Sequence, residues 1–448
     1  MRARSERARL RQAAAAVLFA GLRAADPERL VRENLRARGG AVRVAGTDYE
    51  RKGRLVVVAA GKAASRMARA AEQALGTALD EALAVDTSAT VPLVRTRLRL
   101  AGHPVPDERG LAAAAEVEAL ARPLGPRDLL LVLLSGGASA LLPAPVPGVS
   151  LEDKAALTRL LLRAGAAIGE INAVRKHLSR LKGGGLARAA GGARVVCLVL
   201  SDVVGDDLST IASGPTVPDP TTYADALEIL RRRGLLETVP APARRHLEKG
   251  VRGERPETPK AGDPLFRRVS TRIVGSNRLS VAAAAREARR QGLRPMVLTT
   301  SLEGEAREAA RVLVSVLREC VEGGSPAAPP VCLLAGGETT VTVRGTGQGG
   351  RNQELAAAAV TPLSDFPRPA VVASLATDGI DGVGGAAGGV ADDLSLRRAA
   401  RAGLAPVDVF LEANDSRAFL GPLGDLIVTG PTGTNVVDLT VLLAARRR

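Results

Sequence analysis

The sequence predicts an α/β protein of two domains: an N-terminal Rossmann-like parallel sheet flanked by helices, and a smaller C-terminal α/β domain with a mixed sheet. Three observations support this prediction. One unit recurs along the chain, in which a short apolar run leads through a Gly-rich turn into an Ala-rich stretch of helical spacing. The apolar runs are continuous, which is typical of strands buried on both faces of a parallel sheet. The 448 residues suffice for two to three domains at roughly 150 residues each.

Each predicted strand is a short apolar run followed by a turn rich in Gly, Ser or Asp. In chain order the runs are 55–60, 129–134, 194–200, 272–275, 331–335, 371–376 and 425–429. Stretches of helical spacing follow the first run, from residue 63, and the fourth, from residue 279. The stretch 340–344 alternates between apolar and polar residues, which predicts a hairpin in the second domain. Because loops after parallel strands share one edge of the sheet, we expect them to line the functional site.

A change of composition marks the expected domain boundary. Residues 240–265 are polar, charged and rich in Pro, without apolar periodicity, and they predict a linker or a surface excursion. We therefore expect an N-terminal domain over residues 1–262, a C-terminal domain over residues 263–448 and an active-site cleft between them.

The first eleven residues carry five Arg (Arg2, Arg4, Arg7, Arg9 and Arg11) ahead of a short apolar stretch, an arrangement that imitates a signal peptide. Arg23 interrupts the downstream side, and a helical pattern continues to Asn34. We therefore interpret this segment as a first helix docked on the surface, and the expected location is the cytoplasm.

The net charge of +15 at first suggests a nucleic acid or an anionic membrane as partner. Only seven of the 62 basic residues are Lys, however, and the Arg residues are spread along the whole chain, which indicates the composition bias of a GC-rich genome. An aromatic fraction of 2% leaves little stacking surface for bases. Three Cys and three His lack the spacing of a zinc site, and no apolar run approaches the ~18 residues of a membrane span. We expect neither nucleic acid nor membrane as partner.

Gly-rich turns ahead of helices favour anions, above all phosphate, because backbone N–H groups and the helix dipole both attract negative charge. Gly61-Lys62 is no P-loop, since the earlier Gly is missing and Ala63 follows the Lys. Lys62 directly follows a buried run, so its ammonium is directed either at phosphate or at solvent.

A second Gly-rich segment precedes Arg351. Gly345, Gly347 and Gly350 fit the dinucleotide spacing G-x-G-x-x-G, but the stretch before them alternates and carries an Arg, unlike a buried strand. A flexible loop that binds an anion or closes over a ligand is the alternative. Arg351 is then placed to bind a carboxylate or phosphate in bidentate fashion.

Carboxylates follow three further runs: Asp202, Asp206 and Asp207 after residue 200, Glu338 after Gly336-Gly337, and Asp378 and Asp381 after residue 376. Such carboxylates hold Mg²⁺ or accept a hydroxyl proton in phosphoryl transfer, and the alternative role is the capping of turns. The sequence does not distinguish the base from the metal ligands.

Small polar residues in other turns complete the set of candidates for binding a nucleotide. These are Ser135, Gly136, Gly137 and Ser139 after the second run, Lys182 before a triple Gly, Asn277 after the fourth run, and Gly433 and Asn435 in 430–435. The basic run 175–182 is typical of a solvated helix face with Lys182 at the helix C-terminus, and His103 before Pro104 is typical of a structural turn.

Eight segments of the chain, in colinear order, resemble the type-2 glycerate kinases, the MOFRL-containing family. They are GKAASRMA (61–68), GHPVPDERG (102–110), LLSGGASALLPAP (133–145), INAVRKHLSRLKGGGLA (171–187), LSDVVGDDLSTIASGPTVPDPTTYADAL (200–227), AGGETTVTVRGTGQGGRNQELA (335–356), ATDGIDGVGGAAGGV (376–390) and TGPTGTNVVDL (429–439). Because these multi-residue matches span nearly the whole chain, the resemblance is specific.

The resemblance implies a kinase that uses ATP and Mg²⁺ to phosphorylate D-glycerate, typically at the 2-hydroxyl, in a cleft between two α/β domains. It places Lys62 and Arg351 at that cleft and the acidic positions on Asp202, Glu338 and Asp378. We expect Lys62, Arg351, Asp202 and Asp378 to be catalytic, with Asp202, Glu338 and Asp378 as metal ligands.

Other functions remain as alternatives. The same family carries the label hydroxypyruvate reductase in some genomes, which would require NADH or NADPH and no ATP. A nucleic-acid-binding protein would show salt-dependent affinity, and a sensor of sugar acids would bind glycerate without forming ADP. The expected assembly is a monomer or a homodimer.

Overall fold

The computed structural model describes residues 2–446 of the chain, with side chains from residue 6 onward. Its helices are α1 (Arg2–Ala24), α2 (Pro27–Asn34), α3 (Ala64–Leu75), α4 (Glu108–Ala121), α5 (Ala138–Leu141), α6 (Leu151–Arg163), α7 (Ile168–His177), α8 (Gly185–Ala189), α9 (Tyr223–Arg232), α10 (Ala241–Val251), α11 (Asn277–Arg290), α12 (Ala306–Glu322), α13 (Arg351–Ala358), α14 (Val360–Leu363), α15 (Ser395–Arg401), α16 (Val407–Glu412) and α17 (Ser416–Leu420). Short 3₁₀ turns lie at Gly76–Ala78, Ile211–Ser213 and Pro264–Arg268.

The strands are β1 (Leu35–Arg38), β2 (Ala41–Val44), β3 (Thr47–Glu50), β4 (Leu55–Ala60), β5 (Glu81–Asp86), β6 (Arg97–Leu100), β7 (Leu129–Leu134), β8 (Arg194–Leu200), β9 (Val269–Gly275), β10 (Arg294–Leu302), β11 (Val331–Gly337), β12 (Ala370–Ala376), β13 (Gly388–Asp392), β14 (Leu426–Ile427) and β15 (Asp438–Ala444). The chain divides into two compact units. The N-terminal unit is Pro27–Val274, and the C-terminal unit combines α1, up to Asp26, with the chain from Gly275 onward.

A six-stranded sheet of order β6-β5-β4-β7-β8-β9 forms the centre of the N-terminal unit. Strands β6, β5, β4, β7 and β8 pair in parallel, in that order. Every residue of β4 and β7 is buried, because α3 packs on the sheet and α4 contributes to the apolar core on it. The prediction of a parallel sheet flanked by helices is confirmed for this unit. Strands β1 to β3 form a separate antiparallel sheet that the sequence analysis did not predict.

The C-terminal unit contains a mixed sheet of order β10-β11-β15-β12-β13-β14, as predicted. Only β10 and β11 pair in parallel among the strand pairs described; β15 runs antiparallel to both β11 and β12. The expectation that a continuous apolar run belongs to a parallel strand is therefore wrong for β12. Helices α1 and α11 cover one face of the sheet and α12 and α13 the other, so burial rather than strand direction makes the run apolar.

Two local predictions are wrong. Residues 240–265 are no linker, because they contain α10, whose Ala243 and Leu247 are buried in a cluster with residues of α6, α7 and α9. The predicted hairpin at 340–344 is absent from the described structure, where Thr340 forms a single parallel bridge to Glu305. Alternation gave a strand-like pattern there without a neighbouring strand to pair with.

Helix α1 packs on the sheet of the C-terminal unit through apolar residues such as Leu10, Val17 and Leu18. The helical pattern expected as far as Asn34 is interrupted between α1 and α2. The division observed thus differs from the predicted ranges, since α1 joins the C-terminal rather than the N-terminal unit. No helix among residues 2–446 has the length and apolar content that crossing a bilayer requires.

Ion pairs explain part of the Arg-rich start. Arg11 contacts Asp392 and Asp425 at 2.6 Å each, and Arg7 contacts Asp393 at 2.6 Å. Arg398 also pairs with Asp392 and Asp425. The side chains of Arg2 and Arg4 lie outside the described residues. Arg7 and Arg11 therefore dock α1 on buried carboxylates of its own unit, whereas Arg9 is exposed.

Candidate active site

Three strand ends of the N-terminal unit bring its candidate residues together. Lys62 follows β4, the loop Ser135–Ser139 follows β7, and Asp202 follows β8. These strands are neighbours in parallel register, with Ala60 opposite Leu134 and Leu134 opposite Val199. The three loops therefore leave the sheet at one edge, as expected for a ligand site in an α/β protein.

The loop after β7 packs closely against its neighbours. The backbone N–H of Lys62 donates to the carbonyl of Gly136 at 2.8 Å, and the N–H of Ala63 donates to Ser135 Oγ at 3.0 Å. A Cβ at Gly136 would lie 1.9 Å from Asp202 Oδ2. The carboxylate of Asp202 therefore rests directly on the glycine backbone, and position 136 has no room for a side chain.

Lys62 is exposed and forms no ion pair with any residue from 6 to 446. A Cβ at Gly137 would lie 3.2 Å from Lys62 Cγ and 3.0 Å from His103 Cδ2, so both side chains border this glycine. Partial desolvation and the charge of Lys62 hold the pKa of His103 below its usual value. Sequence analysis treated His103 as a turn residue; its position beside Lys62 makes it a further candidate for the site.

Lys182 occupies a different place from the one predicted. Helix α7 ends at His177, and Lys182 lies in the following turn with 3% exposure, so it is neither at the helix C-terminus nor on a solvated face. Its Nζ donates to the carbonyl and to Oγ of Ser139, at 2.7 and 2.8 Å. Burial, together with the charges of Arg175 and Lys154, holds the pKa of Lys182 well below its usual value.

A hydroxyl network continues from Ser139. Its Oγ lies 2.8 Å from Ser213 Oγ, which donates to Asn172 Oδ1 at 3.1 Å. Ala212 and Ser213 both have left-handed backbones, with φ of 53° and 59°. Such conformations cost about 1–3 kcal/mol each in non-glycine residues and persist where the surroundings fix them. The two hydrogen-bond contacts orient the Ser213 hydroxyl between Ser139 and Asn172.

In the C-terminal unit a second cluster forms where three antiparallel strands meet. In register, Asp438 at the start of β15 lies opposite Gly337 at the end of β11 and opposite Ala376 at the end of β12. Glu338 follows the end of β11 by one residue and Asp378 follows the end of β12 by two. Both residues therefore lie at the same edge of the sheet as Asp438.

Arg351 is the first residue of α13 and makes the strongest contacts of this cluster. Its guanidinium donates to both carboxylate oxygens of Asp438, from Nε at 2.5 Å and from Nη2 at 3.0 Å. Nη1 lies 3.0 Å from Glu338 Oε1. Burial raises the pKa of Asp438 to about 6 although the guanidinium opposes this, and the carboxylates raise the pKa of Arg351. Sequence analysis missed Asp438, although it lies within the quoted segment 429–439.

Asp381 caps a helix, in agreement with the capping role that was considered as the alternative to metal binding or proton acceptance. It is 2% exposed, and its carboxylate accepts hydrogen bonds from the backbone N–H groups of Asn352 and Gln353 at 3.0 and 2.8 Å. Asp381 thus stabilises the start of α13, on which Arg351 stands.

Two of the residues predicted to bind the nucleotide, Asn277 and Asn435, organise the start of β15. Asn277 Nδ2 donates to the carbonyls of Val436 and Asp438 at 2.9 and 2.8 Å. Asn435 Oδ1 accepts from the N–H of Val437 at 3.0 Å. Gly433 lies in the irregular segment between β14 and β15, and no helix follows it, so the helix dipole expected for an anion there is absent.

The predicted magnesium ligands do not form a preassembled cage. Within residues 6–446 no three His, Cys, Asp or Glu side chains group in a way that could hold a metal ion. Asp202 belongs to the N-terminal unit, whereas Glu338 and Asp378 belong to the C-terminal unit. Asp378 is half-buried, and its Oδ1 accepts from the N–H of Ile380 at 3.0 Å. Single carboxylates fit Mg²⁺ that is bound mainly through substrate phosphates and water.

Comparisons with known proteins agree over both units. Residues 13–248 match the family described as Domain of unknown function (DUF4147), and residues 331–438 match the MOFRL family. Glycerate 2-kinase of Pyrococcus horikoshii is 42% identical, with 95% of this chain and 96% of that protein covered. An Agrobacterium vitis relative with the provisional name hydroxypyruvate reductase is also 42% identical, over 97% of this chain and 94% of its own. The crystal structure of glycerate kinase from Thermotoga maritima, 38% identical, superposes with a TM-score of 0.87 over 97% of this chain and 99% of that one.

Proposed function

The chain belongs to the MOFRL-containing family of type-2 glycerate kinases, and on this premise we propose that it phosphorylates D-glycerate at the 2-hydroxyl with ATP, giving 2-phosphoglycerate and ADP. The observation that carries the proposal is the cluster at the β4, β7 and β8 ends. One sheet edge there carries the Lys62 ammonium, the Asp202 carboxylate and the loop Ser135–Ser139, called the glycine loop below; Lys62 has no ion pair among residues 6–446.

Phosphoryl transfer needs positioning and charge neutralisation more than covalent chemistry. The glycerate O2 attacks the γ-phosphorus of ATP as the bond from that phosphorus to the β–γ bridging oxygen breaks and ADP leaves. Lys62 neutralises the charge on the transferring group. Asp202 accepts the hydroxyl proton, an assignment supported by its carboxylate lying on Gly136 beside the Lys62 backbone.

Arg351 binds the glycerate carboxylate or the transferring phosphoryl group. Its bidentate contact with Asp438 fixes the guanidinium plane before substrate arrives, and an oriented group of this kind stabilises a developing charge without reorganisation. Glu338 and Asp378 are the proposed ligands of Mg²⁺, which would neutralise charge on the ATP phosphates. A guanidinium that already contacts Glu338 limits how freely that carboxylate turns to a metal.

The reductase alternative lacks support from the Gly-rich segment 345–350. A Cβ at Gly345 would lie 2.2 Å from the Ala413 carbonyl, and the N–H of Gly345 donates to Asn414 Oδ1 at 2.9 Å. Gly345 and Gly347 pack against the turn after α16, and Gly350 packs against Asp381. No strand immediately precedes these glycines in the described chain, so the Rossmann context is missing.

A coupled assay tests the proposal. Purified protein with D-glycerate, ATP and MgCl₂ should release ADP, and chelation of Mg²⁺ should abolish it. Enolase added directly should consume the product, because it accepts 2-phosphoglycerate and needs a mutase for the 3-isomer. Oxidation of NADH or NADPH by hydroxypyruvate without ADP release would instead establish the reductase.

Two matched variants test the site. Lys62→Met should lower kcat on the order of 10²–10³-fold, with little change in Tm because the side chain is exposed. Lys52→Met replaces another exposed lysine, whose only ion pair among residues 6–446 is with Glu50 of the small antiparallel sheet, and it should leave kcat unchanged. Near-normal turnover of Lys62→Met would remove Lys62 from the mechanism.

Location and assembly also remain proposals. Cys197, Cys320 and Cys332 are free and buried, which supports the cytoplasm as a reducing compartment. The expected partners are ATP and glycerate, with no nucleic acid or membrane, and the expected assembly is a monomer or homodimer.

A further inference from the structure

The N-terminal unit contains an apolar pocket of about 320 Å³ between α6, α7 and the loop after β6. Pro104, Pro106, Leu162, Ile168 and Ile171 form much of its wall. Leu162 and Ile168 are 61% and 60% exposed, so apolar surface is left open to solvent at this place. The volume is at the lower end of the range for small-molecule sites.

Polar side chains also line the pocket, and α6 contributes Thr158 and Arg159 to them. Ser139, Lys154, Arg175 and Lys182 belong to its lining. Lys154 and Lys182 are 8% and 3% exposed. Ser139 and Lys182 also form the hydrogen-bond network beside the glycine loop, so the pocket adjoins the cluster at the β4, β7 and β8 ends.

Three basic groups of the pocket, Lys154, Arg175 and Lys182, have no carboxylate partner among residues 6–446. Lys154 Nζ donates to the Leu178 carbonyl at 3.0 Å, and Lys182 and Arg175 donate to the Ser139 carbonyl at 2.7 and 3.4 Å. None of the three forms an ion pair with any residue from 6 to 446. Buried cations are ordinarily paired, because desolvation without a counter-charge is costly. A pocket with three such groups is therefore suited to a ligand that brings negative charge.

We propose that this pocket binds the nucleoside part of ATP, with the adenine between the proline and aliphatic walls and the phosphate chain beside Lys154, Arg175, Lys182 and the Ser139 hydroxyl. The proposal rests on the function proposed above. It assigns nucleotide binding to Lys154 and Arg175 and to an apolar wall, none of which sequence reasoning had placed in the site.

The chemistry of the two substrates decides between them. Glycerate has three carbons, each of which carries an oxygen, so an apolar wall contributes nothing to its binding. ATP has a flat base that gains from burial and a polyanionic chain that gains from unpaired cations. Arg175 and Lys182 contact Ser139 beside the glycine loop, so the pocket offers basic groups to the phosphate chain and an apolar wall to the base.

The test separates the two ends of the ligand by calorimetric titration of the full chain with ATP and with inorganic tripolyphosphate. Ala155 lines the pocket, whereas its neighbour Ala156 on α6 does not. Ala155→Phe should raise the Kd of ATP by about tenfold or more and leave that of tripolyphosphate within about twofold. Ala156→Phe should change neither, and Lys154→Met should weaken both ligands.

A second variant guards against misfolding. Leu162→Glu places a carboxylate at an exposed position of the wall, where it should leave Tm unchanged and weaken ATP more than tripolyphosphate. The pocket assignment is overturned if Ala155→Phe and Leu162→Glu bind ATP as the unaltered chain does, or if they weaken tripolyphosphate equally. Failure of the unaltered chain to form ADP from glycerate would refute the proposed function. The binding data test the pocket independently of that result.

Discussion

Replacement of Arg351 by Met separates the structural role of this residue from its role toward substrate. The change removes a bidentate partner from Asp438, whose side chain is 7% exposed, and a contact from the more exposed Glu338. Loss of one partner of a buried ion pair costs about 3–5 kcal/mol, since the remaining charge is left unpaired. We therefore expect a clear fall in the free energy of unfolding and a loss of kcat on the order of 10²–10³-fold.

The size of the stability loss should depend on pH in a fixed direction. Burial already holds the pKa of Asp438 at about 6, and removal of the guanidinium raises it further, whereas an unfolded Asp titrates near ~3.9. The variant escapes the unpaired charge by keeping Asp438 protonated. In the unaltered chain this carboxyl is already protonated below its pKa of about 6, so the substitution adds little loss at pH 5 and about 1.4 kcal/mol for each pH unit above 6. Stability is therefore retained at low pH and lost as pH rises.

Urea unfolding at pH 5 and pH 7, with kcat from the coupled assay, measures both effects. Arg351→Met/Asp438→Asn should recover most of the stability and its flat pH dependence, because no buried carboxylate remains, yet keep the low kcat. Recovery of kcat in this double variant would refute contact between Arg351 and substrate. Equal stability losses of Arg351→Met at both pH values would refute the account of Asp438.

Three further predictions concern other parts of the molecule. Gly136→Ala should lower kcat by about 10²-fold or more, because its Cβ would lie 1.9 Å from Asp202 Oδ2 and must displace that carboxylate. Gly169→Ala, at an exposed helical position with open space around it, serves as the control. The coupled assay measures both variants, and an unchanged kcat of Gly136→Ala would contradict the prediction. Arg11→Met should destabilise the chain by about 3 kcal/mol in urea unfolding, since two buried carboxylates lose one of their two Arg partners, whereas Arg9→Met at an exposed site serves as the control. Burial lowers the pKa of Lys154 to about 7, below the ~10.4 of an unfolded Lys, so stability should rise between about pH 7 and pH 10, where the unfolded chain binds the extra proton. Lys154→Met should flatten this rise, and an unchanged slope would show that the amine is not buried as described.

Sequence reasoning worked where local pattern and burial coincide. The runs 55–60, 129–134 and 194–200 agree with β4, β7 and β8 residue for residue. A strand covered on both faces is apolar throughout, so the ends of the apolar run mark the ends of the strand. The same rule located Lys62 and Asp202 correctly after β4 and β8, the two strands on either side of β7.

It failed for strands whose surroundings are mixed. Strand β6, with the sequence RLRL, lies at a sheet edge and is mostly exposed, so no apolar run marks it. Strand β15 is buried but begins with Asp438, whose charge pairs with Arg351, 87 residues earlier in the chain. A local pattern cannot show that a carboxylate within a strand has a partner so distant in sequence, and the central strand of the C-terminal sheet was missed for that reason.

The distribution of lysine gives the most informative sequence signal for the site. Arg residues are spread along the whole chain, and many of them form ion pairs at the surface or between elements, as Arg7 and Arg11 do. Four of the seven Lys, by contrast, lie in or beside the cluster of the N-terminal unit: Lys62, Lys154, Lys176 and Lys182. Of these only Lys176 has a carboxylate partner among the residues described, Asp219 at 3.3 Å. Positive charge in the C-terminal cluster is instead neutralised in advance, because Arg351 contacts both Asp438 and Glu338. An unpaired set of ammonium groups suits a polyanion that supplies the missing charge on binding, whereas a guanidinium held by carboxylates is already oriented for a small anion or a transient one. The two clusters thus differ in the way that the two substrates of a glycerate kinase differ in charge.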